Sequence, residues 1–330
     1  MSAGSLSSRM RHAAARTLGS PWLFGGLAAA FILLLASASV PWPKTRFLAQ
    51  LETGALRLTV MREATLELGM RSVGQGGLAI ERAELQAGTG PDANTLEMGR
   101  TLSRPLLVSR AQISALRVGP GAEIAMFVDP AGRLEIRLHG PASADVVLAG
   151  AAEATDDAGR SYAVSFEEST VVTLRPRPGA APMRMALRMD PTTPPIDVEG
   201  LYVSALTLTR DWPAAGAEAP FRAEVKSGKL RLVDVDRERE IRAGEPLRFE
   251  NVAAYLIALK IGPTALRIDM VGKAHRIVVG PPGYADDITP SALEHLVAQE
   301  PLKLLWAAGG LMLAVFWRAR RWARASISER

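Results

Sequence analysis

The sequence reads as a mainly β protein: an antiparallel sandwich or jelly-roll-like exoplasmic domain, with the option of two β subdomains, between an N-terminal and a C-terminal transmembrane helix. Three patterns support this. Two runs, residues 22–40 and 304–317, contain no charged residue. Between them, short segments alternate apolar and polar residues with the period of two that turns one strand face into a core. Basic residues collect outside the runs. Of 39 basic and 34 acidic residues, eight basic and one acidic lie in the tails, leaving 31 against 33 in the centre.

Residues 1–21 form a short basic tail with Arg9, Arg11 and Arg16. Residues 22–40 (WLFGGLAAAFILLLASASV) would span ~28 Å as a helix, close to the thickness of a bilayer core. Ala36-Ser37-Ala38 also fits a leader-peptidase site, so cleavage after Ala38 stands as the alternative. Pro41-Trp42-Pro43 then ends the helix.

In the first β region, 41–175, strands are expected at 55–61, 64–70, 78–85, 112–118, 123–128, 133–139, 145–148, 162–166 and 170–174. Gly119-Pro120-Gly121 and Asp129-Pro130-Ala131-Gly132 mark turns between them. The pattern Gly-x-Leu-x-Leu/Ile begins at Gly54, Gly132 and Gly228, and reads as a strand starting after a glycine turn.

Six prolines make 176–200 the best boundary in the chain. Within it Met183, Met185 and Met189 alternate with Arg184 and Arg188, an edge-strand pattern. A strand is expected within 196–209, across the end of this boundary, and the second β region, 201–288, contains a hairpin over 229–249 and apolar strands at 252–261, 265–271 and 275–279. A juxtamembrane helix follows at 289–300, opened by a Ser291…Glu294 capping box. The second span is 302–317, lengthened by snorkelling of Lys303 and Arg318, and a basic tail occupies 318–330.

Tryptophan placement agrees with two spans. Of six Trp, Trp22 and Trp42 bracket the first run, while Trp306, Trp317 and Trp322 lie in or beside the second, as interfacial anchors do. Trp212 is the one in the β regions and is the candidate for a partner contact. By the positive-inside rule the basic tails put both termini in the cytoplasm and the β-domain on the far side. The Ala/Arg/Gly-rich composition suggests a bacterial inner membrane and a periplasmic domain.

Several chemistries are disfavoured. With no cysteine there is no disulfide, thiolate metal site or cysteine nucleophile. The near-neutral centre gives no push toward nucleic acid. No H-E-x-x-H, G-x-S-x-G, Walker or Rossmann pattern occurs. His275 with Asp269 or Asp286 can be drawn as a triad but lacks a nucleophile motif. Asp234, Asp236, Glu238 and Glu240 alternate with Arg237 and Arg239 nearby, which suits a solvated hairpin end better than a cation site. Neither cofactor nor metal is expected. Most aromatic residues of the β regions sit at positions that look like core. The expectation is a non-enzymatic scaffold or interaction subunit of an envelope complex, with the bilayer and envelope proteins as partners. The alternatives are a lipid- or polymer-handling component, a transmembrane sensor, and an enzyme with a site that matches no motif.

Overall fold

The computed structural model describes residues 44–72, 77–86, 106–155, 161–179, 181–189, 194–208, 225–281 and 284–298, with isolated helical positions at 310, 314, 317 and 318. Contacts divide the chain into two units. One comprises Lys44–Val233 and Arg237–Thr289, and all twenty strands described below belong to it.

The chain enters through β1 (Thr45–Thr53), bends at Gly54 and continues as β2 (Ala55–Val60). β3 (Ala64–Arg71), β4 (Leu78–Glu81) and β5 (Ala83–Gln86) follow, then β6 (Leu106–Val118), β7 (Glu123–Val128) and β8 (Arg133–His139). β9 (Ala142–Thr155) and β10 (Ser161–Pro176) are the longest strands, and β11 (Met183–Arg188) and β12 (Ile196–Val198) fall in the proline-rich stretch. The remainder are β13 (Leu201–Thr207), β14 (Val225–Leu232), β15 (Arg237–Ile241), β16 (Leu247–Glu250), β17 (Ala253–Ile261), β18 (Leu266–Ala274), β19 (Arg276–Val279) and β20 (Asp286–Asp287). Every pairing is antiparallel, as the alternating sequence requires.

The ladders form two closed circuits. In one, β1 pairs with β18, β18 with β17, β17 with β13, and β13 with β2, the continuation of β1 beyond Gly54. In the other, β4 pairs with β6, β6 with β9, β9 with β10, and β10 with β5, the continuation of β4 beyond Arg82. Arg82 lies at φ 57, a left-handed bend that turns the strand. A run of ladders, β2–β7–β8–β11–β4, joins the circuits. Closing ladders on themselves removes sheet edges. Among the described ladders several strands pair along one side only, such as β15 with β14 and β20 with β19.

Alternation decides the core. In β1 Phe47, Ala49 and Leu51 point inward while Arg46, Leu48 and Gln50 point out. Phe47 stacks on Phe249 with ring centroids 4.7 Å apart. Opposite Phe47, Gly272 leaves the room that close strand packing needs: a Cβ there would lie 2.8 Å from Ala254 Cβ and 2.9 Å from the Ala253 carbonyl oxygen. Leu56, Met126, Ile136, Met185 and Ile80 are fully buried along the joining ladders.

Three sequence readings are corrected here. β11 is not an edge strand, because it pairs with β4 on one side and β8 on the other. Its methionines are core: Met183 and Met185 are fully buried. Gly228 does not begin a strand but sits within β14, where Leu51 packs so closely that a Cβ would meet its Cδ2 at 2.5 Å. The segments 162–166 and 170–174 belong to one strand, β10, whose register against β9 shifts between Phe166 and Thr170.

In the second unit the described helix is α1 (Ala292–Ala298). The capping box forms: the Glu294 amide donates to Ser291 Oγ at 3.2 Å, and the Ser291 amide to Glu294 Oε2 at 2.9 Å. Among the described residues no helix is long and apolar enough to cross a membrane. The run 22–40 lies outside the described residues, as does most of 302–317, of which Gly310, Ala314 and Trp317 are helical.

Candidate functional site

Where the chain enters and leaves the β unit is fixed by a cluster of polar contacts. Thr45, at the start of β1, is opposite Ala274, at the end of β18. Three residues on, the Ile277 amide donates to Thr289 Oγ1 at 2.9 Å, and Thr289 ends the unit. The Thr289 amide donates to Asp287 Oδ1 at 3.0 Å, and Arg276 Nε donates to Asp287 Oδ2 at 2.7 Å. Partial burial would raise the Asp287 carboxyl, but these hydrogen bonds outweigh it and hold the group below the ordinary carboxylate range. At ~3.3 Å per residue along a strand and ~5 Å between strands, Thr45 and Thr289 lie within ~20 Å of each other. Entry and exit therefore share one pole of the unit.

From that pole a sheet face opens outward across β14, β1, β18, β17 and β13. Register orders its residues into rows. The row nearest the pole is Val233, Arg46, Lys273 and Ala253, all exposed. Here two cations, Arg46 and Lys273, stand directly opposite each other on adjacent strands. The next row is Arg231, Leu48, Val271, Tyr255 and Tyr202. Leu48, Val271 and Tyr202 are each more than a third exposed. The Tyr202 and Tyr255 rings lie 4.7 Å apart, and the Arg62 guanidinium stands 4.5 Å from the Tyr202 ring centroid. Exposed Met61 joins this row by donating its amide to the Tyr202 carbonyl, and Ile257 is pushed outward at the bulge between Leu256 and Ala258.

Beyond this row the face becomes charge-balanced. A groove of about 560 Å³ is lined by residues including Gln50, Glu52, Lys229, Glu240, Arg267 and Asp269. Its charges are largely paired: Arg267 with Glu52 at 3.3 Å, Lys260 with Asp197 at 3.6 Å and Lys229 with Glu238 at 3.6 Å. The face thus runs from cationic, through apolar and aromatic, to neutral polar.

The anchors Trp22, Trp42, Trp306 and Trp322 and the partner-contact candidate Trp212 lie outside the described residues. Trp317 is described as helical and 58% exposed. The drawn triad does not assemble. Asp269 faces the groove while His275 sits at the β18–β19 bend, six residues or ~20 Å along the strand. Asp286 lies 4.0 Å from Arg239. Arg237, Glu238, Arg239 and Glu240 are all exposed, and among the described residues no group of His, Asp or Glu is arranged to hold a metal ion.

Aromatic residues divide. Phe127, Phe166 and Phe249 are core, but Tyr202 and Tyr255 face outward and Tyr284 is 89% exposed. Strand parity contained this signal: Tyr202 alternates with buried Leu201 and Val203, and Tyr255 with buried Ala254 and Leu256. No family of known proteins, no curated protein and no solved structure matches the chain.

Proposed function

We propose that this chain is a non-enzymatic, membrane-anchored β-domain protein that acts as a scaffold or interaction subunit of a bacterial envelope complex. Residues 22–40 and 302–317 cross the inner membrane, the basic tails are cytoplasmic, and the β unit is periplasmic. The observation that carries this reading is the shared pole. A unit whose chain enters at Thr45 and leaves at Thr289 within ~20 Å can have both flanking apolar runs in one bilayer without a long connection. The exposed row of Leu48, Val271, Tyr255 and Tyr202 supports a contact role, since an apolar strip bordered by cations is a surface for binding. An interior lipid-carrying groove has less support, because the described inward-facing side chains, such as Leu56, Met126, Leu148 and Leu256, pack to almost no exposure.

The cysteine-free sequence makes the topology test clean. Single cysteines are introduced as Ser8→Cys, Ala215→Cys and Ser326→Cys and probed in intact cells with a membrane-impermeant maleimide. Labelling is expected at 215 and absent at 8 and 326. Labelling at 326 in sealed cells contradicts the two-span arrangement, and labelling of none of the three contradicts an external β unit.

A further inference from the structure

We infer that the face built around Leu48, Val271, Tyr255 and Tyr202 seats the same face of a second copy of the chain, both copies being anchored side by side in one bilayer. The inference rests on the two-span reading. The first support is where exposed apolar side chains collect. Of the nine large hydrophobic residues exposed on the described β unit, six lie on this face: Leu48, Met61, Tyr202, Val233, Ile257 and Val271. Only Leu107, Val171 and Tyr284 lie elsewhere. A concentration of this kind marks a contact surface. The second support is area. Five strands at ~4.8 Å and three rows at ~6.6 Å give a face of about 24 by 20 Å, or roughly 480 Å² of flat area per copy. Two copies together bury about 1,000 Å², the lower bound for a specific interface. Such a pair is weak between free molecules, and anchoring in a shared membrane supplies the effective concentration it needs.

The third support is self-complementarity. Copies anchored in one bilayer point their entry poles the same way, so the twofold axis runs along the strands. That axis turns each row onto itself in reverse order. Centred on the four-residue apolar row, it falls between β18 and β17. Val271 then meets Tyr255 and Leu48 meets Tyr202, so the aliphatic half of one row lies on the aromatic half of the other. Facing sheets pack about 10 Å apart, a gap that these side chains fill from both sides. On the central strands the long Lys273 meets the small Ala253, and Asp269 meets the bulge at Ile257 and Ala258. No like charges confront each other there, whereas an axis on β18 itself would set Lys273 and Asp269 each against its own counterpart. Arg231 beyond Leu48, and Arg62 stacked on Tyr202, fall at the polar rim.

The test uses the cysteine-free full chain expressed in bacterial cells and carrying Ala253→Cys, an exposed position beside the axis. A short bis-methanethiosulfonate reagent is added to intact cells, and products are separated on non-reducing gels. A covalent dimer is expected at Ala253→Cys and not at Val171→Cys, an exposed position away from the face. Adding Leu48→Asp puts an unpaired carboxylate into the contact and should cut the dimer yield about tenfold or more. Leu48 is 38% exposed, so the change spares the core, and unchanged far-UV circular dichroism of the purified chain confirms folding. Absence of a dimer at 253, equal yields at 253 and 171, or a dimer that Leu48→Asp leaves unchanged overturns the inference. So does a product in which 253 is joined to a different protein, which assigns the face to another partner. Labelling of Ser326→Cys from outside in the same cells overturns the two-span reading instead, and the parallel pairing with it.

Discussion

Arg184 offers the sharpest test of how the two circuits are held together. It lies on β11, between β4 and β8. Its Nη1 donates to Glu81 Oε1 at 3.0 Å and its Nη2 to Glu135 Oε2 at 2.8 Å. Arg137 Nε donates to the other Glu135 oxygen at 2.6 Å. Glu135 is only 8% exposed. Burial would raise its carboxyl, but the hydrogen bonds from Arg184 and Arg137 outweigh that and hold it below the ordinary range. Arg184→Met keeps the length and removes the charge. Stripping one partner from a fully buried pair costs about 3–5 kcal/mol. Here Arg137 remains, and the Arg184 side chain is 35% exposed, so the expected loss falls to about 1–3 kcal/mol. Urea unfolding of the full chain in detergent, followed by far-UV circular dichroism, reads this out. Glu135→Gln on the Arg184→Met background should cost less than the sum of the single changes, by about 1 kcal/mol, because the stranded charge is gone. Stability within about 0.5 kcal/mol of the parent for Arg184→Met, or strict additivity in the double variant, would refute the reasoning.

The same carboxylates set an acid limit. Glu135 and Asp287 are both held below their ordinary values, so the unfolded chain binds more protons through that range and stability rises with pH there. Their contribution should be complete above about pH 5 and lost as pH falls through the lowered folded values, and the slope of stability against pH should shrink in Arg184→Met. Gly272→Ala places a methyl against Ala254 and the Ala253 carbonyl, where backbone cannot yield cheaply. A loss of about 1–3 kcal/mol is expected in the same urea assay, and a neutral result would show that β17 and β18 are not packed this closely.

Strict alternation was the most readable part of the sequence. β7 and β8 run over 123–128 and 133–139, the segments that the pattern marks. What escaped was set by long-range partners. β1 carries no strong local signal, because Thr45, Ala49 and Thr53 take inward positions with Phe47 and Leu51; its place between β14 and β18 comes from pairing across nearly the whole chain. β11 reads as an edge because prolines surround it in sequence, yet it pairs along both of its edges, with β4 and β8. Gly228 looks like a turn residue, but it is where the Leu51 side chain passes over β14. At the exposed face, Tyr202 and Tyr255 resemble core residues by type; only parity within β13 and β17 turns them outward. Arg46 opposite Lys273 is a juxtaposition that register creates and sequence distance conceals.

The convergence of chain entry and exit on one pole is the claim on which the functional reading depends. A distance between nitroxide labels at Lys44→Cys and Asp286→Cys, measured by double electron–electron resonance on the full chain in detergent, tests it most directly. Asp286 pairs with Val279 on β19, so the account predicts a narrow distribution centred at about 15–30 Å, allowing for ~3.3 Å per residue along the strands and the label arms. A distribution centred beyond about 40 Å, the length of a long strand in this unit, would place entry and exit at opposite poles and contradict the account.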